Sequence, residues 1–331
     1  MSMNQPLVTV LMPVFNAEQF LEESITSILN QTYYNFEFLI INDGSTDKSL
    51  EIIQGFTDER IRLVCLEKNG GIIAALNLGL ELAKGDYLAR IDADDIALPE
   101  RLEKQVDFLE KNIEVGCLGT DFLWHQEHDE KSWINYYDNE NIRVAMLFEC
   151  AVCHPTIMMR MSIVCQHSLR YPRDYPHAED YAFWLEISKY TQIVNLPEKL
   201  VSYRRHPLQI SKVKSEIQCQ SIRKIQFKQL RSLGLKVSVS DLILNSILGG
   251  AFVPVLNLHF FMDRWKNKII KANADKNLFH QFTLCKQLDQ RFIDASLNKK
   301  DILSKMSLLR CIHWQIMSTF RYIMSFNKSA E

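Results

Sequence analysis

The sequence predicts an α/β fold, a parallel, nucleotide-binding type of sheet with helices, followed by a mainly helical C-terminal extension. Three observations carry that expectation. Strand-like and helix-like patterns alternate four times in about 100 residues at the N-terminus, the arrangement of parallel βαβ units. Two of the strand-like runs, Phe36–Ile41 and Tyr87–Ile91, lead directly into aspartates, and in an open α/β sheet the carboxyl ends of strands face the ligand crevice. The charge is also divided. Residues 1–211 hold 18 Lys and Arg against 32 Asp and Glu, a balance of −14, whereas residues 212–331 hold 20 against 8, a balance of +12. That asymmetry predicts two parts with different partners, 1–211 and 212–331, meeting near Ser211.

The elements follow in order. Leu7–Phe15 reads as a buried strand. Asn16 with Gln19 three residues on has the spacing of a capping box. Ala17, Phe20, Leu21, Ile25, Ile28 and Leu29 then recur at helical spacing. Phe36–Ile41 is a second strand, Lys48–Phe56 a helix and Ile61–Leu66 a third strand. Asn69-Gly70-Gly71 leads into a helix through Ala83, and Tyr87, Leu88, Ala89 and Ile91 mark the next strand, after which Pro99 opens a helix. Beyond Asn112 the pattern is mixed. Val115–Trp124 reads as a strand, His125–Lys131 as a polar turn and His154–Arg160 as a strand. Glu179-Asp180 opens a helix carrying Phe183, Trp184 and Ile187, and two short strands follow, Gln192–Leu196 and Val201–His206. From Leu208 onward the pattern is helical and basic.

A chain of 331 residues, 47% hydrophobic and 24% charged, has the composition of a globular protein able to bury a full core. The first apolar run contains Pro13 and has no basic lead-in, so no export signal is expected and the expected location is the cytoplasm. Eight irregularly spaced cysteines then read as reduced thiols. Cys150-Ala-Val-Cys153-His154 has the spacing of a c-type haem attachment, but without an export signal Cys153 is expected to pack as a small apolar side chain. Leu242–Phe261 is a run of 20 residues without a formal charge. It is long enough to span a bilayer, yet Gly249, Gly250 and Pro254 interrupt it, and Asn245, Asn257 and His259 are costly at depth. The alternatives are a packed helix pair and an interfacial element. The basic balance favours the latter, on the cytoplasmic face of an anionic membrane. No nucleic-acid partner is expected.

Asp92, Asp94 and Asp95 repel one another and call for a positive partner. A divalent cation shared with a phosphorylated ligand fits, and a solvated acidic turn is the alternative. Asp43 ends the second strand and would face the same crevice. Its carboxylate can accept the ring N–H of uracil, where cytosine presents an acceptor; an Asx-type turn residue is the other reading. Asn69-Gly70-Gly71 allows close backbone approach to a ligand or makes an ordinary turn. Asp180 stands at a helix start, where a carboxylate is favoured in any case.

Taken together, Val10-Leu-Met-Pro-Val-Phe-Asn16, Asn42-Asp-Gly-Ser-Thr-Asp47, Gly85-Asp-Tyr with Asp92-Ala-Asp-Asp95, Glu179-Asp180 and Arg204-Arg-His206 are ordered as in glycosyltransferase family 2. Residues 7–211 resemble these inverting, nucleotide-sugar-dependent enzymes of GT-A fold, bacterial surface-polysaccharide enzymes in particular. The resemblance implies that Pro13, Phe15, Asn16, Asp43, Asn69, Gly71 and Asp92 form the nucleotide site, with Asp43 on uracil. It implies Mn²⁺ or Mg²⁺ at Asp94 with Asp92, and His206 closing over the metal or diphosphate. It makes Asp180 the general base of a single displacement onto an acceptor hydroxyl, with Glu179, Trp184 and His154 toward the sugar or acceptor. Asn42 stands where the family often has Asp, on a side chain expected to face away from the crevice. Cys153 before His154-Pro155 has no assigned role. A sugar-nucleotide pyrophosphorylase would need a Gly-rich, basic N-terminal loop, and Val10–Asn16 has neither glycine nor a basic residue. A non-catalytic binding protein of the same fold is the third reading.

Overall fold

The computed structural model describes residues 5–125, 136–206, 209, 213–249 and 258–297, with the backbone alone at 258–260 and 296–297. The chain divides into two compact units, Met1–Ile142 with Ala151–Val213, and Arg143–Cys150 with Lys214–Glu331.

In the first unit, β1 (Val8–Val14), β2 (Phe36–Asn42), β3 (Ile61–Cys65) and β4 (Tyr87–Arg90) pair in parallel. They alternate with α1 (Leu21–Leu29), α2 (Ser49–Gln54) and α3 (Ile72–Leu82). Every residue of β1 is buried, as expected of a parallel strand covered on both faces. The sheet continues through β7 (Met158–Arg160), β6 (Val115–Trp124), β8 (Gln192–Tyr203) and β5 (Ile96–Ala97), in the order β3-β2-β1-β4-β7-β6-β8-β5. β7 is antiparallel to β4 and β6, and β5 is antiparallel to β8, so the sheet is mixed. α4 (Arg101–Lys111), α6 (Met161–Gln166) and α7 (Glu179–Ile187) complete the connections, and α5 (Asn139–Ala145) starts in this unit and ends in residues of the other. Val10, Met12, Phe38, Ile40, Ala89 and Leu118 lie in one continuous core.

Four local expectations are corrected. The Asn16–Gln19 capping box does not form. α1 starts at Leu21 with no side-chain cap, because the Asn16 carboxamide accepts the Thr46 N–H at 2.8 Å instead. His154–Arg160 is not one strand, since His154–Thr156 is a 3₁₀ turn placed by Pro155, and only Met158–Arg160 joins the sheet. The two short strands after α7 are one. Leu196 pairs with Thr120 and Lys199 with Asp121, so Pro197 and Glu198 form a bulge that excuses the missing proline N–H. Pro99 is followed by a helix, but one that begins at Arg101 after the short β5. The expected polar turn lies outside the described residues beyond His125, as does the boundary residue Ser211.

The second unit contains α8 (Ser215–Ser232), α9 (Val239–Leu248), α10 (Leu258–Lys276) and α11 (Gln281–Leu297). Ser238 and Asp241 form a capping box at α9. Leu242, Leu244, Ile247 and Leu248 are buried with Phe148, Trp265, Ile269, Leu284 and Leu288. The uncharged run 242–261 is therefore not a single helix: its first part ends α9 and packs inside this unit, and residues 250–257 lie outside the described residues. Among the described residues no helix is long and apolar enough to cross a membrane. Residues 143–150 belong to this core, held by Gln226 Nε2 on the Phe148 carbonyl at 2.6 Å and Asn245 Nδ2 on the Leu147 carbonyl at 3.0 Å. Cys65, Cys117, Cys165, Cys219 and Cys285 are free thiols, and Cys153 packs against the main core.

Candidate active site

Register brings the sequence motifs to one edge of the sheet. Val14 is opposite Asn42, Leu11 is opposite Arg90, and the Ile91 N–H bonds to the Leu11 carbonyl at 3.1 Å. The chain segments after β1, β2 and β4 thus emerge side by side, about 4.8 Å between neighbouring strands.

On one side stand the expected nucleotide residues. Pro13 is buried within β1 and the Phe15 ring is 47% exposed beyond it. Asn16 has a positive φ of 50° and donates its N–H to Ser45 Oγ at 3.1 Å. Asp43 is buried, and its two carboxylate oxygens accept the Gly70 and Gly71 N–H groups at 2.8 and 2.9 Å. Asn69 Oδ1 also accepts the Gly71 N–H, at 2.9 Å. Gly44 makes this approach possible: its φ is +67°, and a Cβ there would lie 2.7 Å from Asn69 N and from Lys68 C. Asn42 is buried and accepts the Ser45 N–H at 3.2 Å, so it caps the turn that presents Asp43.

The three acids after β4 stay together, one ligand oxygen from each lying within 4.8 Å of the others. Asp92 is clamped by the buried Arg90 guanidinium through both oxygens, Nη1 on Oδ2 at 2.5 Å and Nη2 on Oδ1. Asp94 Oδ2 lies 2.9 Å from His206 Nε2. Asp95 is buried, accepts the Arg204 N–H at 2.9 Å through Oδ1, and leaves Oδ2 without a partner. Burial pushes the Asp95 carboxyl well above its ordinary range, with Asp92 and Asp94 adding to it. Burial also raises Asp92, with Arg90 opposing and Asp94 and Asp180 reinforcing. Arg204 binds the Asp94 carbonyl through Nε at 2.8 Å, pairs with Glu23 at 2.5 Å and lies 4.5 Å over the Phe20 ring. The His206 ring sits 5.1 Å from that same phenyl group.

Asp180 is in the first turn of α7 and accepts the Tyr181 N–H at 2.7 Å. Its charge acts on Asp92 and on Glu179. Glu179 is buried, its Oε2 has no hydrogen-bond partner, and burial, then Asp180, push its carboxyl up to about 7. His154 and Trp184 pack together. Trp184 is fully buried and packs edge-on to His154 at 5.6 Å. His154 is buried, with Nε2 3.0 Å from the Tyr171 hydroxyl, and burial followed by Arg90 holds it well below the usual imidazole range. Both side chains are therefore buried against one another.

Three basic residues escape a sequence reading. Arg90 looks like a gap in an apolar strand, although a charge inside a buried run is itself a signal of a buried partner. Arg204 stands in the Arg204-Arg-His206 motif with nothing in the sequence to mark its partner. Arg101 is fully buried, donates to the Arg90 and Ile157 carbonyls at 2.7 and 3.2 Å, and is brought down to about 9 by burial and then by Arg90.

A mixed sheet whose strand ends gather these carboxylates has the arrangement of an α/β enzyme with its ligand crevice at the carboxyl ends of the strands. The family model described as glycosyl transferase family 2 matches residues 9–167. The chain is 38% identical over 281 residues to an uncharacterized glycosyltransferase of Haemophilus influenzae, covering 81% of this chain and 84% of that one. It is 33% identical over 210 residues to the O-antigen biosynthesis glycosyltransferase WbnJ of Escherichia coli, covering 60% and 80%. Its fold is similar to that of S. aureus TarS 1-349 in complex with UDP-GlcNAc, with a TM-score of 0.59, 17% identity, and 89% and 92% of the two chains covered. It is also similar to mannosyltransferase PcManGT from Pyrobaculum calidifontis in complex with GDP-Man and Mn²⁺, with a TM-score of 0.60, 16% identity, and 96% and 86% covered. The chain belongs to glycosyltransferase family 2.

Proposed function

We propose that the chain transfers a sugar from a UDP-sugar to a hydroxyl of a saccharide or lipid-linked saccharide in surface-polysaccharide synthesis, inverting the anomeric carbon. The observation that carries this reading is the cluster of Asp92, Asp94 and Asp95, with His206 on Asp94 and Asp180 acting on Asp92. The two Asp43 oxygens each hold one backbone N–H and keep a lone pair for the ring N–H of uracil. Phe15, Pro13 and Asn16 border that position, and Asn69 and Gly71 fix it.

The donor set fits a divalent cation, because Asp95 Oδ2 is a buried oxygen with no partner inside the acidic cluster. Asp94, Asp92 and His206, with the open Oδ2 of Asp95 beside them, would hold Mn²⁺ or Mg²⁺, Asp94 most directly since Arg90 engages both oxygens of Asp92. When bound, the cation offsets the negative charge of the departing diphosphate, a Lewis-acid contribution of several kcal/mol. Asp180 accepts the proton of the acceptor hydroxyl as that oxygen bonds to the anomeric carbon. The bond from that carbon to the diphosphate oxygen breaks, and its electron pair leaves with the nucleotide. General-base help of this kind is worth roughly 10²–10⁴-fold.

Turnover of a panel of UDP- and GDP-sugars with Mn²⁺, and again after chelation, tests the reading, with the anomeric configuration of the product read by NMR. Retention of configuration, or turnover indifferent to chelation, overturns it. Asp180→Asn should lower kcat sharply and leave UDP affinity unchanged.

The same reading places the acceptor at the cytoplasmic face of a membrane, approached electrostatically by the basic residues 212–331. Support comes from the +12 balance and from the O-antigen role named for WbnJ. Within 242–261, Leu242, Leu244, Ile247 and Leu248 are taken up by the unit's own core. Sedimentation with anionic liposomes at low and high salt tests the attachment. Protein left in the supernatant at low salt overturns it.

A further inference from the structure

We propose that Asn77 and Tyr171 are positioning residues that tie the aim of Asp180 to the helix leaving the nucleotide end of the site. The inference rests on the reading of Asp180 as the general base.

Residues 167–178 join α6 to α7 without helix or strand, so something other than a hydrogen-bond ladder must fix the start of α7. Tyr171 does so. Its backbone N–H donates to Asn77 Oδ1 at 2.8 Å, and its carbonyl accepts from Asn77 Nδ2 at 2.9 Å. This reciprocal pair spans 94 positions of sequence and needs a primary amide, since a carboxylate cannot donate and an alkyl group can do neither. Asn77 stands in the middle of α3, which begins directly after the Asn69-Gly70-Gly71 turn that cradles Asp43.

The Tyr171 side chain carries the connection onward. Its ring is buried and stacks on Phe183 with centroids 4.2 Å apart and 16° between the planes. Its hydroxyl bonds to His154 Nε2 at 3.0 Å, and the His154 ring packs edge-on to Trp184. Phe183 and Trp184 follow Asp180 by three and four positions, so they share its side of the helix. Fixing those two rings fixes the rotation of α7, and with it the direction of the Asp180 carboxylate. The path Asn77, Tyr171, Phe183 and His154–Trp184 lies wholly within the first unit. No residue on it need touch the substrate.

A bland alternative is that the same contacts merely hold the fold. The two differ in one respect: a residue that acts through Asp180 has nothing to act through once the base is gone. The experiment therefore measures Asn77→Ala and Tyr171→Phe alone and in the Asp180→Asn background. It uses full-length protein with Mn²⁺ and whichever of UDP-glucose, UDP-galactose and UDP-N-acetylglucosamine the wild type turns over fastest. UDP binding is followed by calorimetry and folding by thermal melting. Tyr171→Phe removes one hydroxyl and keeps the stacked ring, so it remains informative where Asn77→Ala unfolds. Each single variant should lose about 10- to 100-fold in kcat, the scale of a 1 Å misplacement, with donor KM and UDP affinity held near wild type. In the Asp180→Asn background the same changes should cost less than about twofold, the signature of residues acting as a unit. Normal kcat in both folded single variants, or an equal loss without the base, overturns the inference while leaving the base reading intact. Turnover that Asp180→Asn does not lower overturns both.

Discussion

Replacing Glu179 by Gln isolates a burial effect that can be followed by pH. The Glu179 carboxyl is raised from 4.5 to about 7, first by burial and then by the charge of Asp180. The folded chain therefore holds this proton more tightly than the unfolded chain does. Below pH 4.5 both states carry it and the residue adds no pH dependence. Between 4.5 and 7 the native state binds more protons, so stability falls as pH rises, and above 7 the whole cost is present. A displacement from 4.5 to about 7 corresponds to about 3 kcal/mol at 1.36 kcal/mol per pH unit. Gln has the shape of the protonated acid and cannot ionise. Urea denaturation of wild type and Glu179→Gln should give a stability difference that grows by about 3 kcal/mol, in favour of the variant, from pH 4.5 to pH 8. Asp180→Asn should shrink that growth by removing the second cause. A difference that stays flat across this range would refute the reasoning, because it would mean that the buried Oε2 is not penalised when charged.

Asp94→Ala should abolish Mn²⁺-dependent turnover with little change in melting, since losing one of three mutually repelling acids is tolerable; a Mn²⁺ titration of activity that matches wild type refutes it. Gly44→Ala should weaken UDP binding measured by calorimetry and destabilise by more than about 1 kcal/mol, because its Cβ would meet the Lys68–Asn69 backbone at 2.7 Å. Arg101→Lys should cost about 2 kcal/mol in urea denaturation, since an ammonium cannot match the fork that reaches the Arg90 and Ile157 carbonyls and Gln105.

The βα alternation of the first hundred residues was readable because parallel strands, buried on both faces, leave continuous apolar runs such as Val8–Val14. What was not readable depends on partners distant in sequence. Asn16 has the side chain of a helix cap, and nothing local says that the Ser45–Thr46 turn will claim it. Pro197 looks like a break between two strands, and only the register against Thr120–Asp121 shows a bulge inside one. β5 consists of Ile96 and Ala97 and exists because Val201 and Ser202 lie beside them. The run 242–261 was ambiguous for a different reason. An apolar stretch records that burial is needed, and not whether lipid or Trp265 and Leu284 supply it.

The site divides along the same line. Asp43, Asp92, Asp94 and Asp180 stand out because each sits at a strand end or helix start, a position that sequence periodicity locates. The groups that decide what those acids can do do not stand out. Arg90 neutralises Asp92 from inside the strand, Arg204 reaches Asp95 from the far end of β8, and the Asp43 carboxylate is held by two backbone N–H groups. Asp180 shows why this matters. In the sequence a carboxylate at a helix start reads equally as a stabilising first-turn acid and as a base. Asp180 accepts the Tyr181 N–H within the first turn of α7. Next to it, Glu179 has the opposite surroundings, a buried oxygen with no partner, and it is Glu179 that is driven toward neutrality. Two adjacent carboxyls are thus given different surroundings by one helix start, one accepting a backbone N–H and the other leaving a buried oxygen without a partner.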